Sequence, residues 1–241
     1  MKAALLKRIG QLDVVALPLP AVPRGGVLVA VKAAAICRSD IKMVRRGQRD
    51  LVLPRILGHE AAGTILASEH PGWQPGMSVA LYPARFCGGC PACLSGHHTR
   101  CRELRISGFN EDGFFRGCIP FPEQALPSLI RLPDGLPACK ASLAEPLACC
   151  ISALGRFADL RKGTALVIGA GAVGSLFAAL LLAQGWGCVL VADRDQRRLE
   201  AELPSGITAL HAPAGEILPV LKKLSVRLYQ AVTRMIAGRV L

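Results

Sequence analysis

The sequence predicts an α/β chain in two parts, a strand-rich domain over residues 1–150 and a parallel-sheet domain over 151–222, followed by a C-terminal segment, 223–241. Two observations predict it. Up to about residue 135, short apolar runs such as VLVAVKAAAIC, AAGTILA and MSVALYPA alternate with Pro and Gly, the texture of strands and irregular loops. Later, TALVIGAGAVGSLFAALLLAQGWGCVLVADRD reads as an apolar strand, a glycine turn, a helix and a second apolar strand.

Between these parts, EPLACCISALGRFADL opens with an acid and a proline and carries apolar residues at helical spacing, which suits a helix N-terminus. After the glycine-turn unit, DQRRLEAEL reads as a helix and ITALHA as a third strand. Beyond Pro213 the pattern is mostly helical in period, and no internal repeat is found. Ala165–Ala192 carries no charge and is long enough to cross a bilayer. The glycines in GAGAVG and QGWG break that run, so no membrane span is expected.

The chain has 241 residues, half of them apolar, enough to bury a core. Its 29 Lys and Arg against 17 Asp and Glu leave a net charge of +12, so a polyanionic partner has to be weighed. Arginines are spread along the chain, and the densest run, Arg45, Arg46 and Arg49, has few aromatics near it. No nucleic acid is expected. The first residues, MKAALLKRIGQLDVVALP, lack a sustained apolar stretch and a small-residue cleavage site. A cytoplasmic location follows as the expectation, and there ten cysteines point to metal or free thiols before disulfides.

Four of those cysteines, Cys87, Cys90, Cys93 and Cys101, lie in CGGCPACLSGHHTRC. Four thiolates suit one closed tetrahedral zinc site. They also suit an iron–sulfur cluster, although the bacterial ferredoxin run has a shorter last gap. Zinc is the preferred reading, with His97 and His98 left to solvent. Gly169, Gly171 and Gly174 form GxGxxG around Ala172 and Val173, between a strand and a helix. Such glycines let the backbone approach a pyrophosphate at a helix N-terminus. Asp193 stands 19 residues beyond Gly174, where an acid accepts hydrogen bonds from a ribose. It disfavours a 2′-phosphate, so NAD is expected over NADP, with Arg194 beside it moderating that preference. Cys37, His59, Glu60 and Glu145 supply the sulfur, nitrogen and oxygen donors that zinc accepts, and a catalytic zinc needs about three protein ligands and an open position. Singly each has a plainer explanation, Cys37 as a buried thiol and GHE as a loop.

Together these motifs resemble the zinc-dependent medium-chain dehydrogenase/reductase family, which includes alcohol, sorbitol and threonine dehydrogenases. CRSD at Cys37–Asp40, GHEAAG around Glu60, the cysteine lobe over 86–102, AEPLA around Glu145 and VIGAGAVG occur in family order over about residues 1–212. The resemblance implies a GroES-like catalytic domain, then a Rossmann domain, with the active site between them. It implies one catalytic zinc at Cys37 and His59, with Glu60 and Glu145 as a ligand and a near neighbour that exchanges with water, and one structural zinc in the lobe. Ser39 would relay the substrate proton and Asp40 would orient His59. Glu145, where classical alcohol dehydrogenases carry cysteine, resembles the polyol and sugar branch. The implied reaction is hydride transfer from a secondary alcohol to NAD, with a small-molecule alcohol as the partner.

Two departures accompany the resemblance. Lys42 stands where the family commonly has a relay histidine. A complete doubly wound domain has six strands and this chain signals about three, as though roughly a hundred residues between Ala212 and Leu224 were missing. Those residues would hold the nicotinamide and, in many relatives, the dimer edge, so a homo-oligomer would lack its usual surface. A second reading follows, a non-catalytic zinc-binding relative unable to hold the nicotinamide productively.

Overall fold

The computed structural model describes residues 1–156, 163–200 and 203–213. Two compact units divide between Glu145 and Pro146. The C-terminal segment 223–241 and the end of the parallel-sheet region lie outside the described residues.

The first unit contains ten strands: β1 (Lys2–Arg8), β2 (Gln11–Ala16), β3 (Val27–Ala35), β4 (Arg55–Ile56), β5 (Glu60–Ser68), β6 (Ser78–Leu81), β7 (Ala84–Arg85), β8 (Arg105–Ile106), β9 (Cys118–Phe121) and β10 (Leu129–Arg131). Helices α1 (Arg38–Arg46), α2 (Pro91–Leu94) and α3 (Ala138–Ala141) lie among them, and α4 (Ala144–Gly155) spans the division. Five strands form an antiparallel sheet in the order β10-β6-β5-β3-β9; β2-β1-β4 form a second sheet and β7-β8 a short ribbon.

Alternation along the strands sends Val27, Val29, Ile65, Val79, Leu81, Ile119 and Phe121 into one core around Phe114. Each such side chain contributes about 1.5–3 kcal/mol relative to exposure. β5 leaves the core carrying Glu60 at its first position, opposite Ala35 at the end of β3. The loop beyond Ala35 holds Cys37, so the ladder brings two sequence-distant segments side by side.

The second unit holds β11 (Thr164–Ile168), α5 (Ala172–Ala183), β12 (Cys188–Asp193), α6 (Gln196–Glu200) and β13 (Ile207–His211). Its strands are parallel in the order β11-β12-β13, with Asp193 opposite His211. Phe177, Ala178 and Leu181 on α5 pack with Val167, Val189 and Val191. The uncharged run is thus strand, turn, helix and strand, and among the described residues no helix is long and apolar enough to cross a membrane. Gly174 is required by close approach, because a Cβ there would sit 1.7 Å from the Gly169 carbonyl oxygen.

Candidate metal centre and nucleotide site

Helix α1 starts where Cys37, in extended conformation, precedes Arg38. Asp40 lies in its first turn, where a carboxylate is favoured by the helix dipole, and its Oδ2 accepts the Cys37 backbone N–H at 2.9 Å. The other oxygen, Oδ1, accepts the Gly58 N–H at 3.3 Å. Asp40 therefore joins the loop of Cys37 to the turn that delivers His59. Gly58 sits at φ +95°, and a Cβ there would meet the Phe115 ring at 2.5 Å, so glycine is needed on two counts.

The donor atoms of Cys37, His59 and Glu60 lie within 4.8 Å of one another. His59 and Glu60 are buried, and Cys37 is half-buried. His59 Nε2 is 3.4 Å from Ser39 Oγ and 4.0 Å from Glu60 Oε1. Its Nδ1 is 3.4 Å from Asp40 Oδ1, yet makes no aligned hydrogen bond. The link between them is electrostatic. Phe109, which the sequence did not single out, closes one side with its ring centroid 5.3 Å from that of His59 in an edge-on contact.

The charges in this site call for a cation. Burial works against a charged His59, but the nearby Asp40 and Cys37 outweigh it and push its pKa up to about 10. Burial raises the Glu60 pKa, with His59 opposing and Glu145 reinforcing. Thiol, imidazole and carboxylate form a donor set suited to zinc, whose tetrahedral ligands stand roughly 3.3–3.8 Å apart. Small side-chain movements would bring these three to that spacing. Glu145 is outside the converging set; it stands in the first turn of α4, and its charge reaches Glu60. Lys42 is exposed on α1.

The second cluster is tighter. Cys90 and Cys93 Sγ are 3.5 Å apart, Cys101 and Cys87 3.6 Å, and Cys87 and Cys93 3.9 Å. Four sulfurs bound at about 2.3 Å to one zinc stand about 3.8 Å apart, so the cage matches that ion closely. A disulfide would need about 2.05 Å, and none of these four cysteines is in one. The backbone of Cys93 and neighbouring thiols lower the Cys90 pKa to about 6, whereas burial pushes Cys93 up to about 12. His97 and His98 are exposed and outside the sulfur set; His98 stacks on Phe86 with centroids 3.9 Å apart.

In the second unit Gly169, at φ +107°, and Gly171, extended as the N-cap of α5, make the turn. Ala172 and Val173 open the helix, so its first amides are available to an anion. Asp193 is buried at the end of β12. Its Oδ2 accepts the Ala170 N–H at 2.8 Å and its Oδ1 the Asp195 N–H at 2.8 Å, with Arg198 Nη1 3.5 Å away. Burial resists ionisation, but those contacts hold the carboxylate below its usual range. Oδ1, which accepts one N–H, retains a lone pair for a ribose hydroxyl. Arg194 is exposed, and its carbonyl lies 3.2 Å from His211 Nε2.

Comparisons with known proteins agree with this geometry. Residues 23–134 match the alcohol dehydrogenase GroES-like domain, and residues 165–223 match ketopantoate reductase PanE/ApbA. The chain is 34% identical over 220 residues to an uncharacterised zinc-type alcohol dehydrogenase-like protein of Haemophilus influenzae, covering 90% of this chain and 63% of that one. It is 32% identical to sorbitol dehydrogenase of Bacillus subtilis, covering 86% and 60%. Among solved structures, an alcohol dehydrogenase of Escherichia coli complexed with NADH superposes with a TM-score of 0.79 at 28% identity, covering 94% of this chain and 66% of that one. The chain thus spans about three-fifths of the length of the curated relatives it matches. The GroES-like match, the sequence similarity to zinc-type dehydrogenases and the superposition together place the chain in the zinc-dependent medium-chain dehydrogenase/reductase family.

Proposed function

We propose that this chain is a zinc-dependent oxidoreductase that moves a hydride from a secondary alcohol of a polyol, sugar or amino alcohol to NAD. The observation that carries this reading is the convergence of Cys37, His59 and Glu60 beside the Ser39 hydroxyl. Zinc bound there would act as a Lewis acid on the alcohol oxygen and favour its ionisation. Cys37, His59 and Glu60 would hold the ion, with Glu145 as the exchangeable neighbour. Asp40 fixes the loops that carry Cys37 and His59. Ser39 would relay the hydroxyl proton, accepting it at Oγ while passing its own hydrogen on towards solvent, and the hydride from the carbinol carbon would go to NAD, so the alcohol loses one proton and one hydride in all. Gly169, Gly171 and the first amides of α5 would receive the pyrophosphate, and Asp193 the adenosine ribose. Cys87, Cys90, Cys93 and Cys101 would hold a second, structural zinc that pins the lobe.

NADH production from a panel of polyols by zinc-loaded protein tests the reading, and absence of turnover in protein carrying both ions would sink it. A second reading, a zinc-binding relative that does not turn over, is favoured by one observation: the described parallel sheet has three strands. Calorimetry with NAD separates the two, since tight cofactor binding contradicts the second. Supporting the NAD preference is the buried Asp193 carboxylate where a 2′-phosphate would have to sit. The cytoplasm is the compartment this chemistry suits.

A further inference from the structure

Apart from the metal set, the first unit contains a polar cavity of about 200 Å³, lined by residues that include Tyr82, Arg85, Ser107, Arg116 and Ser128. Cys37, His59, Glu60 and the lobe cysteines contribute nothing to its lining.

Its two serines belong to the interior, being 9% and 5% exposed. Among the described residues their hydroxyls make no hydrogen bond to protein, and neither is sealed from water. Both residues line the cavity. A buried hydroxyl without a protein partner costs free energy unless water or a ligand satisfies it.

The lining carries two arginines, Arg85 and Arg116, and two carboxylates, Glu111 and Asp112, and only Arg116 lacks an ion-pair partner among the described residues. Glu111 lines the cavity but is paired by Arg85 through Nε and Nη2. Asp112 is taken by Arg55 at 2.8 Å and by the Ile56 N–H at 3.2 Å. Arg116 has no carboxylate partner: its Nη2 reaches only the Asp112 carbonyl at 3.5 Å, and its buried Nε has no partner. Arg105 stands directly opposite Arg85 in the β7–β8 ribbon. Like charges in that position repel, and Arg105 works against the charge of Arg85, which Glu111 already pairs.

We propose that this cavity binds a small oxyanion, with Arg116 as the charged donor and Ser107, Ser128 and Tyr82 as hydroxyl donors. Guanidinium and hydroxyl groups can all donate to phosphate or carboxylate oxygens, and charge-assisted bonds of that kind are the stronger ones. The site stands independently of the dehydrogenase reading, because it uses none of that machinery.

Isothermal titration calorimetry of the zinc-loaded chain with inorganic phosphate, and separately with malonate, tests it at constant ionic strength. Saturable binding is expected, stronger for phosphate if the site takes a phosphoryl group and stronger for malonate if it takes a carboxylate. R116M is expected to weaken that binding about tenfold or more, the loss of one charge-assisted bond. An S107A/S128A double variant, which retains the charge, is expected to weaken it several-fold and decides the matter if R116M does not fold. No saturable heat with either anion, or binding unchanged in the double variant and in a folded R116M, overturns the proposal.

Discussion

Replacing Asp40 by alanine tests the joint on which the metal centre depends. Asp40 is 3% exposed and accepts two backbone N–H groups, from Cys37 at 2.9 Å and Gly58 at 3.3 Å. Hydrogen bonds to a charged acceptor are worth about 1.5–3 kcal/mol each, and D40A strands both donors in the interior. Removing the buried carboxylate also removes its desolvation cost, which offsets part of that loss. The net expectation is about 3 kcal/mol of destabilisation, a large share of a typical 5–15 kcal/mol total. Because the two tethered loops carry Cys37 and His59, zinc affinity should fall roughly 10- to 100-fold. Urea denaturation of the zinc-free chain reads the first quantity, and competition with a chelator reads the second. D40N, which keeps one acceptor oxygen, should lie between wild type and D40A in both. A D40A variant within about 1 kcal/mol of wild type, with unchanged zinc affinity, would refute the reasoning.

Other expectations follow from the same geometry. In the metal-free chain the raised His59 pKa, about 10, keeps the ring protonated at lower pH, and zinc requires the neutral ring. Binding at this centre should therefore release a proton and tighten as pH rises towards 10, which calorimetry in buffers of different ionisation enthalpy would detect; an affinity flat between pH 6 and 9 contradicts it. C93S should remove about one zinc ion per chain by elemental analysis and leave the Cys37 centre loaded, since the two donor sets share no residue. G174A should disrupt the glycine turn, because its Cβ would stand 1.7 Å from the Gly169 oxygen, costing several kcal/mol in denaturation and abolishing NAD binding. Asp193 has a lowered pKa, so its stabilisation is fully present above about pH 4 and is lost as pH falls through the folded value. The stability difference between wild type and D193N should hold from pH 7 to 5 and shrink at more acidic pH.

What the sequence disclosed depended on how locally each feature is encoded. CGGCPACLSGHHTRC closes its cage within one short loop, so spacing alone limited the choices, and the 3.5–3.9 Å sulfur separations match the preferred ion. GAGAVG and Asp193 belong to one strand–helix–strand unit, and their association through the Ala170 N–H follows from parallel pairing of adjacent strands. Cys37 and His59 are different, because the β3–β5 register brings them together, and only resemblance to a family linked them in advance. That resemblance also grouped Glu145 with the donors, whereas the three converging atoms come from Cys37, His59 and Glu60. Helix α1 escaped the sequence reading: its run is short and strongly charged, and its start is set by Cys37 and Asp40 rather than by a Ser or Thr cap. Phe109 against His59, and Arg105 opposite Arg85, have no sequence signature, since each pairing exists only once loops and register are fixed.

The most direct measurement is the absorbance of NADH formed when zinc-loaded protein is mixed with NAD and a polyol panel. The expected result is alcohol-dependent NADH formation that disappears on chelation and in C37S, with NADP giving less. Protein that carries two zinc ions and forms no NADH with any secondary alcohol in the panel would contradict the proposed activity.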